Sequence, residues 1–234
     1  RRAPFASPRC VADEALVALA LRTLPLLQPR LGLTTEHEVI VAFLQRHVVS
    51  LLHARSTSVR RYAALACAAL LAPHGAPAAV GGARGAAVSA MLELVVSVAI
   101  ADADPTIRRD VLCALDERYE SHLAHPQFAR PLALALADEN GQVCSTAVAL
   151  LGRLSATNPT VALPQLRRLL TGLLAQLAQP AVALQPELLA ALETTAELLR
   201  AAPQLARTYA LKVHGALAHV LAQPTRSRVA AAAL

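Results

Sequence analysis

An all-α chain built from stacked helical hairpins is the expectation for these 234 residues, and three features raise it. The first is composition. Ala accounts for 52 residues and Leu for 43, and these are the two strongest helix formers. With no Trp, 3 Tyr and 3 Phe, the chain is short of the aromatic residues that strands draw on, which argues against an all-β fold. A mean hydropathy of +0.45 excludes a disordered chain. The second feature is helical apolar spacing in segment after segment. The third is an apolar face that returns at a near-constant interval.

Taken in order, the spacing predicts helices over 12–27, 36–54, 58–72, 84–101, 105–123, 126–137, 140–156, 162–179, 185–201 and 204–222, with another starting at 225. Pro73, Pro126, Pro159, Pro180, Pro203 and Pro224 stand near the junctions, where proline stops or opens a helix. The stretch PHGAPAAVGGA, 73–83, reads as a surface loop. In DADPTIRR, 102–109, Asp102 and Asp104 precede a helix opening at Pro105. Aspartate can cap the free amides there, and proline suits the first turn because its missing N–H costs nothing. ADENGQV, 137–143, and ARSTSV, 54–59, supply the same polar approach, with Ser58 and Thr225 as further caps.

The helices pair, and the pairs repeat. A branched apolar residue enters the second helix of each pair at Val59, Ile107, Val143, Leu184 and Val229. The intervals are 48, 36, 41 and 45 residues, which bracket the HEAT period of ~40–47. At offsets of four, five and eight from that marker stand Ala63, Ala64 and Cys67; Val111, Leu112 and Leu115; Ala147, Val148 and Leu151; and Leu188, Leu189 and Leu192. Those offsets share one helical face, so each pair stacks on the next. The predicted fold is therefore an α-solenoid of about five HEAT-type helix pairs running through 1–234 as a single array. Because the chain begins Arg1-Arg2 without Met, it reads as an excerpt of a longer or processed polypeptide.

Net charge is +6 and the pI about 9.8, which raises the question of an acidic partner. Lys212 is the only lysine, and the arginines fall in separate pairs: Arg60–Arg61, Arg108–Arg109 and Arg167–Arg168. Few aromatic residues could stack on bases, so nucleic-acid binding is not expected. Cys10, Cys67, Cys113 and Cys144 form no CxxC pair. They read as small hydrophobes of a reduced intracellular protein. From Tyr62 to Ala83 no charged residue occurs, but Pro73, Pro77 and three glycines break the run, so it does not span a membrane.

An arginine directly follows the marker at Arg60 and Arg108 and is expected to reach an aspartate of a neighbouring turn. Arg60, Arg61, Asp102, Asp104, Arg108 and Arg109 are thus the candidate inter-repeat or partner-facing positions. At the third and fourth markers the next residue is Cys144 and Gln185, which interrupts the ladder.

Several strings resemble the HEAT-repeat region of the target of rapamycin (TOR) kinases, serine/threonine kinases related to phosphatidylinositol 3-kinase. DADPTIRRDVLCALDERYESHL at 102–123 carries most of it, followed by GRLSATNP at 152–159 and LPQLRRLL at 163–170. AAPQLARTY at 201–209 and ALRTL at 20–24 match more loosely. The chain departs from the family pattern at Ala103, where Asp-Pro tends to repeat, at Cys144, where Arg is usual, and over 73–83 and 180–200. The resemblance implies a segment lying before the FAT region and the kinase domain. It also implies protein partners: a raptor-type subunit and self-association, in the cytoplasm and at endomembrane surfaces reached through partners.

No chemistry of the segment's own is expected. It lacks a phosphate-binding loop, an HRD and a DFG-like string. Asp116 and Glu117 point about 100° apart on a helix and are read, with Arg118 and Glu120, as surface ion pairs. His122-x-x-His125 has a metal-compatible spacing but too few companions, and His37, His47 and His53 do not share a face. No metal or cofactor is expected. The sequence thus reads as a non-catalytic scaffold segment, with a free-standing adaptor of the transport-receptor or tubulin-binding class as the alternative.

Overall fold

The structure is a computed structural model and describes residues 8–27, 37–72, 83–178 and 185–222. Among the described residues all regular structure is helical. The α-helices are α1 (Pro8–Leu27), α2 (His37–His47), α3 (Thr57–Leu71), α4 (Ala83–Ala101), α5 (Pro105–Ala114), α6 (Glu120–Leu123), α7 (Pro126–Ala135), α8 (Gly141–Thr157), α9 (Pro159–Ala178), α10 (Gln185–Ala201) and α11 (Pro203–Ala222). Five of them open on a proline, at 8, 105, 126, 159 and 203, where the absent N–H leaves nothing unsatisfied. The loop expected at 73–83 lies, but for Ala83, outside the described residues, as do the markers Leu184 and Val229, the cap Thr225 and the helix start at 225.

The chain divides into two compact units, Arg1–His122 and Leu123–Leu234. In the first, α2 pairs with α3 and α4 with α5. Helix α2 also packs on α4, and α3 lies between α1 and α5. In the second, α7 pairs with α8 and α9 with α10, while α7 packs on α9, α9 on α11 and α8 on α10. First helices stack on first helices and second on second, so each unit has the two-layered build of an α-solenoid of HEAT-type hairpins.

The repeated face is the core of these layers. Val59, Ile107 and Val143 are buried, and so are Ala63, Ala64, Cys67, Val111, Leu112, Leu115, Ala147, Val148 and Leu151. Small residues at 63, 64 and 147 let neighbouring helices approach closely. In α10 the register differs from expectation: Leu188 is buried, but Leu189 and Leu192 are only half-buried. The buried row there runs Leu188, Ala191, Thr195 and Leu198, a narrower stripe at spacings of three, four and three.

Two expected helices are broken. The segment 36–54 stops as an α-helix at His47 and tightens into a 3-10 turn over Val49–His53. Leu44, Val48 and Leu52 still form one buried seam through the change. The segment 105–123 breaks at Leu115, whose ψ of 71° leaves the helical range. The cause is Asp116. Its carboxylate accepts the Arg118 amide at 3.1 Å, an alternative to the helical carbonyl, and so caps a 3-10 turn over Glu117–Tyr119. Arg118 also forks onto Asp116 at 2.7 to 3.0 Å, so this pair closes a turn rather than decorating a helix face. The break brings Tyr119 inward, fully buried, with its hydroxyl donating to the Ala68 carbonyl of α3.

Candidate functional site

The turn between α4 and α5 gathers most of the charged candidates. Asp104 caps α5, its carboxylate accepting the Thr106 amide at 2.8 Å. Asp102 accepts the Asp104 amide at 2.9 Å, which fixes the turn that presents the cap. The other Asp102 oxygen faces α3, where Arg60 donates through Nε at 2.8 Å and through Nη2 to the first oxygen at 3.1 Å. Arg60 further donates to the carbonyls of Ala54 and Arg55 at 3.1 and 3.0 Å. One guanidinium thus ties the turn before its own helix to the turn of the following pair.

Burial pushes the Asp102 carboxyl upward, but the Arg60 bond, the Asp104 amide and the charges of Arg60 and Arg108 outweigh it and hold the carboxyl below its ordinary value. Arg60 is raised by the same bond. Arg108 is buried and donates to the Asp102 carbonyl at 2.7 Å. Arg61 meets Asp110 of α5, and Arg109 reaches that same carboxylate at 2.9 Å from the adjacent position. Arg60 and Asp102 are therefore brought together, Arg61 and Arg109 share Asp110, and Asp104 serves its own helix.

The second unit repeats this turn chemistry. Asp138 accepts the Asn140 amide at 2.9 Å, and Asn140 accepts the Gln142 and Val143 amides at 3.0 and 3.3 Å. The residue after each of the first three markers bonds back to a carbonyl ahead of its own helix: Arg60 to Ala54, Arg108 to Asp102, and Cys144 through its thiol to Leu136 at 3.2 Å. Sequence reasoning took Cys144 as an interruption; the thiol keeps the tie within the hairpin without the charge. Burial, then the charges of Glu197 and Asp138, push that thiol above its ordinary value.

Other sequence candidates separate. Ser58 lies inside the first turn of α3, and Ser56 occupies the cap position without a side-chain cap bond. His122 is buried, whereas His125 is exposed at the N-cap of α7. His47 and His53 are exposed, His47 beside the Phe43 ring at 5.2 Å, and the His37 side chain lies outside the described residues. Among the described residues no group of His, Cys, Asp or Glu is placed to hold a metal ion. No helix among them is long and apolar enough to cross a membrane. Cys113 is exposed, contrary to its reading as a core hydrophobe, because α5 turns that side to solvent; Cys67 and Cys144 are buried.

Comparison with known proteins adds the decisive observation. No protein-family model matches the chain. Over 182 residues, 78% of its length, it is 32% identical to the serine/threonine-protein kinase tor1 of Schizosaccharomyces pombe. It is 31% identical to the serine/threonine-protein kinase TOR of Arabidopsis thaliana over 181 residues, and 36% identical to mTor of Drosophila melanogaster over 90. This chain is related to a segment of the TOR kinases. It spans only 8%, 7% and 4% of those three relatives.

The strings that carry the TOR resemblance are the ones that tie the hairpins. In 102–123, Asp102 and Tyr119 reach α3, while Asp104, Arg108 and Asp116 fix the turns that present them. In GRLSATNP, Gly152 lets α8 touch α10: a Cβ there would lie 2.5 Å from the Ala201 Cβ. Ser155 accepts from Gln204 of α11 at 3.2 Å, and Asn158 donates to the Ala124 carbonyl at 2.9 Å. Sequence reasoning missed these contacts, since each partner lies more than thirty residues away.

Proposed function

We propose that the chain is a non-catalytic scaffold segment of a TOR-like serine/threonine protein kinase. Its role is protein–protein docking and complex assembly in growth and nutrient signalling. The observation that carries this reading is the combination of TOR similarity along most of the chain with polar side chains spent on hairpin ties. Arg60, Asp102, Asp104 and Arg108 are engaged with backbone and with each other, which suits a framework rather than a reacting centre. A stack of hairpins offers partners a long surface and flexes by small changes per repeat. The partners proposed are a raptor-type subunit and a second copy of the TOR-like chain, in the cytoplasm or at endomembranes through those partners. Neither nucleic acid nor direct membrane insertion is part of the reading.

The test is to extend the reading frame and purify the full-length product. A FAT region and kinase-like domain downstream, with partner capture lost when 1–234 is replaced by a foreign helical array, support it. A stop codon soon after Leu234 would make the chain a free-standing adaptor instead. Phosphotransfer by the isolated 234-residue chain, abolished by a single substitution, would overturn the non-catalytic reading.

A further inference from the structure

Helices α7 and α9 lie side by side in the second unit, and between them runs an open groove of about 600 Å³. One wall is a continuous face of α7, on which Pro126, Ala129, Arg130, Ala133 and Leu134 recur at spacings of three and four, continued by Ala137 in the turn after the helix. The other is Gln165, Arg168 and Leu169 of α9, and Leu136 adds to the floor. Alanines keep the floor low. Leu134 is 57% exposed, a large apolar side chain left to water inside a concave surface. Arg130 and Arg168 are both exposed, and no carboxylate lines the groove. The groove is therefore apolar along its length and positive at its edges.

We infer that this groove docks an acidic amphipathic helix of a partner protein, with apolar residues on the seated face and Glu or Asp beside Arg130 and Arg168. A helix is favoured over an extended strand by the backbone. Gln165 is the one uncharged polar side chain in the lining, so a strand would place amides against alanine methyls with nothing to bond. A helix arrives with its backbone already satisfied and can lay a ridge between two parallel rows of side chains. The arginines choose among helices: an acidic flank gains charge-assisted bonds, and a lysine-flanked helix is repelled. This inference rests on the docking reading above and gives it a location and a partner chemistry.

The probe is a pair of labelled helical peptides with the same leucine face, one flanked by glutamates and one by lysines, titrated into the 234-residue chain by fluorescence anisotropy. The glutamate peptide should bind, weaken with added salt, and lose at least about tenfold in affinity to the Arg130→Glu/Arg168→Glu double variant. Ala133→Arg, which fills the floor without touching the buried core, should abolish binding. Circular dichroism of both variants must match the parent; if Ala133→Arg unfolds, Leu134→Ser takes its place. Equal binding of the two peptides, or unchanged affinity in the double variant, overturns the inference. So does competition by a short single-stranded oligonucleotide as effective as the glutamate peptide, which would make the surface a general polyanion patch. If the full-length protein still captures its partners with the double variant in place, docking stands and the groove is not its site.

Discussion

Arg60→Ala removes four hydrogen bonds at once and withdraws the guanidinium from a carboxylate that is only 4% exposed. Asp102 keeps the Asp104 amide and the charge of Arg108, so it is not stranded completely. Taking one partner from a buried pair costs about 3–5 kcal/mol. Arg60 is itself 18% exposed, so water can reach part of the gap, and the lower end, about 3 kcal/mol, is expected. Asp102→Asn keeps the shape and one acceptor and should cost about 2 kcal/mol. The double variant should cost less than the two together, leaving a coupling of about 1–2 kcal/mol.

Urea unfolding of the four proteins by circular dichroism measures the cycle. Hydrogen exchange along α3 and the α4–α5 turn shows whether the loss belongs to that junction. The sign of the pH dependence follows from the lowered Asp102 carboxyl. The stability it contributes is fully present above its unfolded pKa, about 3.9, and is lost as pH falls through the lower folded value. Wild type should therefore lose more stability than Arg60→Ala on acidification below about pH 4. A coupling under about 0.3 kcal/mol at pH 7 would refute the reasoning and put the pair with exposed surface bridges.

Gly152→Ala should destabilise the second unit by about 1–3 kcal/mol, since the added methyl meets both side chain and backbone of Ala201. A variant with wild-type thermal stability would mean that α8 and α10 do not touch there. Leu112→Asp and Leu151→Asp bury an unpaired charge in the repeated face and should each collapse their own unit, whereas Arg109→Ala should leave helicity intact. Full helical signal in both aspartate variants would show the repeat register to be wrong. Cys113 should react quickly with a thiol reagent, and Cys67 only after unfolding, because burial blocks access and pushes its thiol up to about 12. Peptide mapping that found the two labelled at equal rates would remove Cys67 from the core.

What could be read from sequence divides along a physical line. Val59, Ile107 and Val143 and the residues four, five and eight further on announced both helix and stacking, because burial of a helical face is periodic in the chain itself. Asp104 was legible as a cap because a cap bonds two or three residues away, and ADENGQV as the polar approach in which Asn140 does the same. The break at Leu115 was not, since the apolar period continues to Leu123 unbroken. Only the competition of Asp116 for the Arg118 amide, and the reward of seating Tyr119 on α3, decide it. Ser58 misled for a related reason: three hydroxyl residues run together, and it is the Ser56 carbonyl that accepts the Arg60 amide and so begins the helix. The α7–α9 groove was illegible, because two stretches with no shared motif form it only when the helices align.

That division explains why this chain can be related to the TOR kinases while its partners stay out of sight in the sequence. The recognisable strings are ties: Asp102 to Arg60, Tyr119 to Ala68, Gly152 against Ala201, Ser155 to Gln204. Each fixes how one hairpin lies on the next, and substituting any of them leaves a buried polar group or a clash. Docking makes the opposite demand. Its residues must stay exposed and be paid for by a partner, so Leu134, Arg130 and Arg168 can change without cost to the fold. Cys144 shows how the two demands meet. A thiol makes the bond back to Leu136 that arginines make at the two earlier hairpins, so the hairpin is tied there without a charge. If partner choice resides on the groove and fold on the ties, Cys144→Arg should alter stability and leave glutamate-peptide binding unchanged, and replacing Arg130 and Arg168 should do the reverse. Peptide affinity that followed Cys144→Arg instead would mean that the ties shape the docking surface after all.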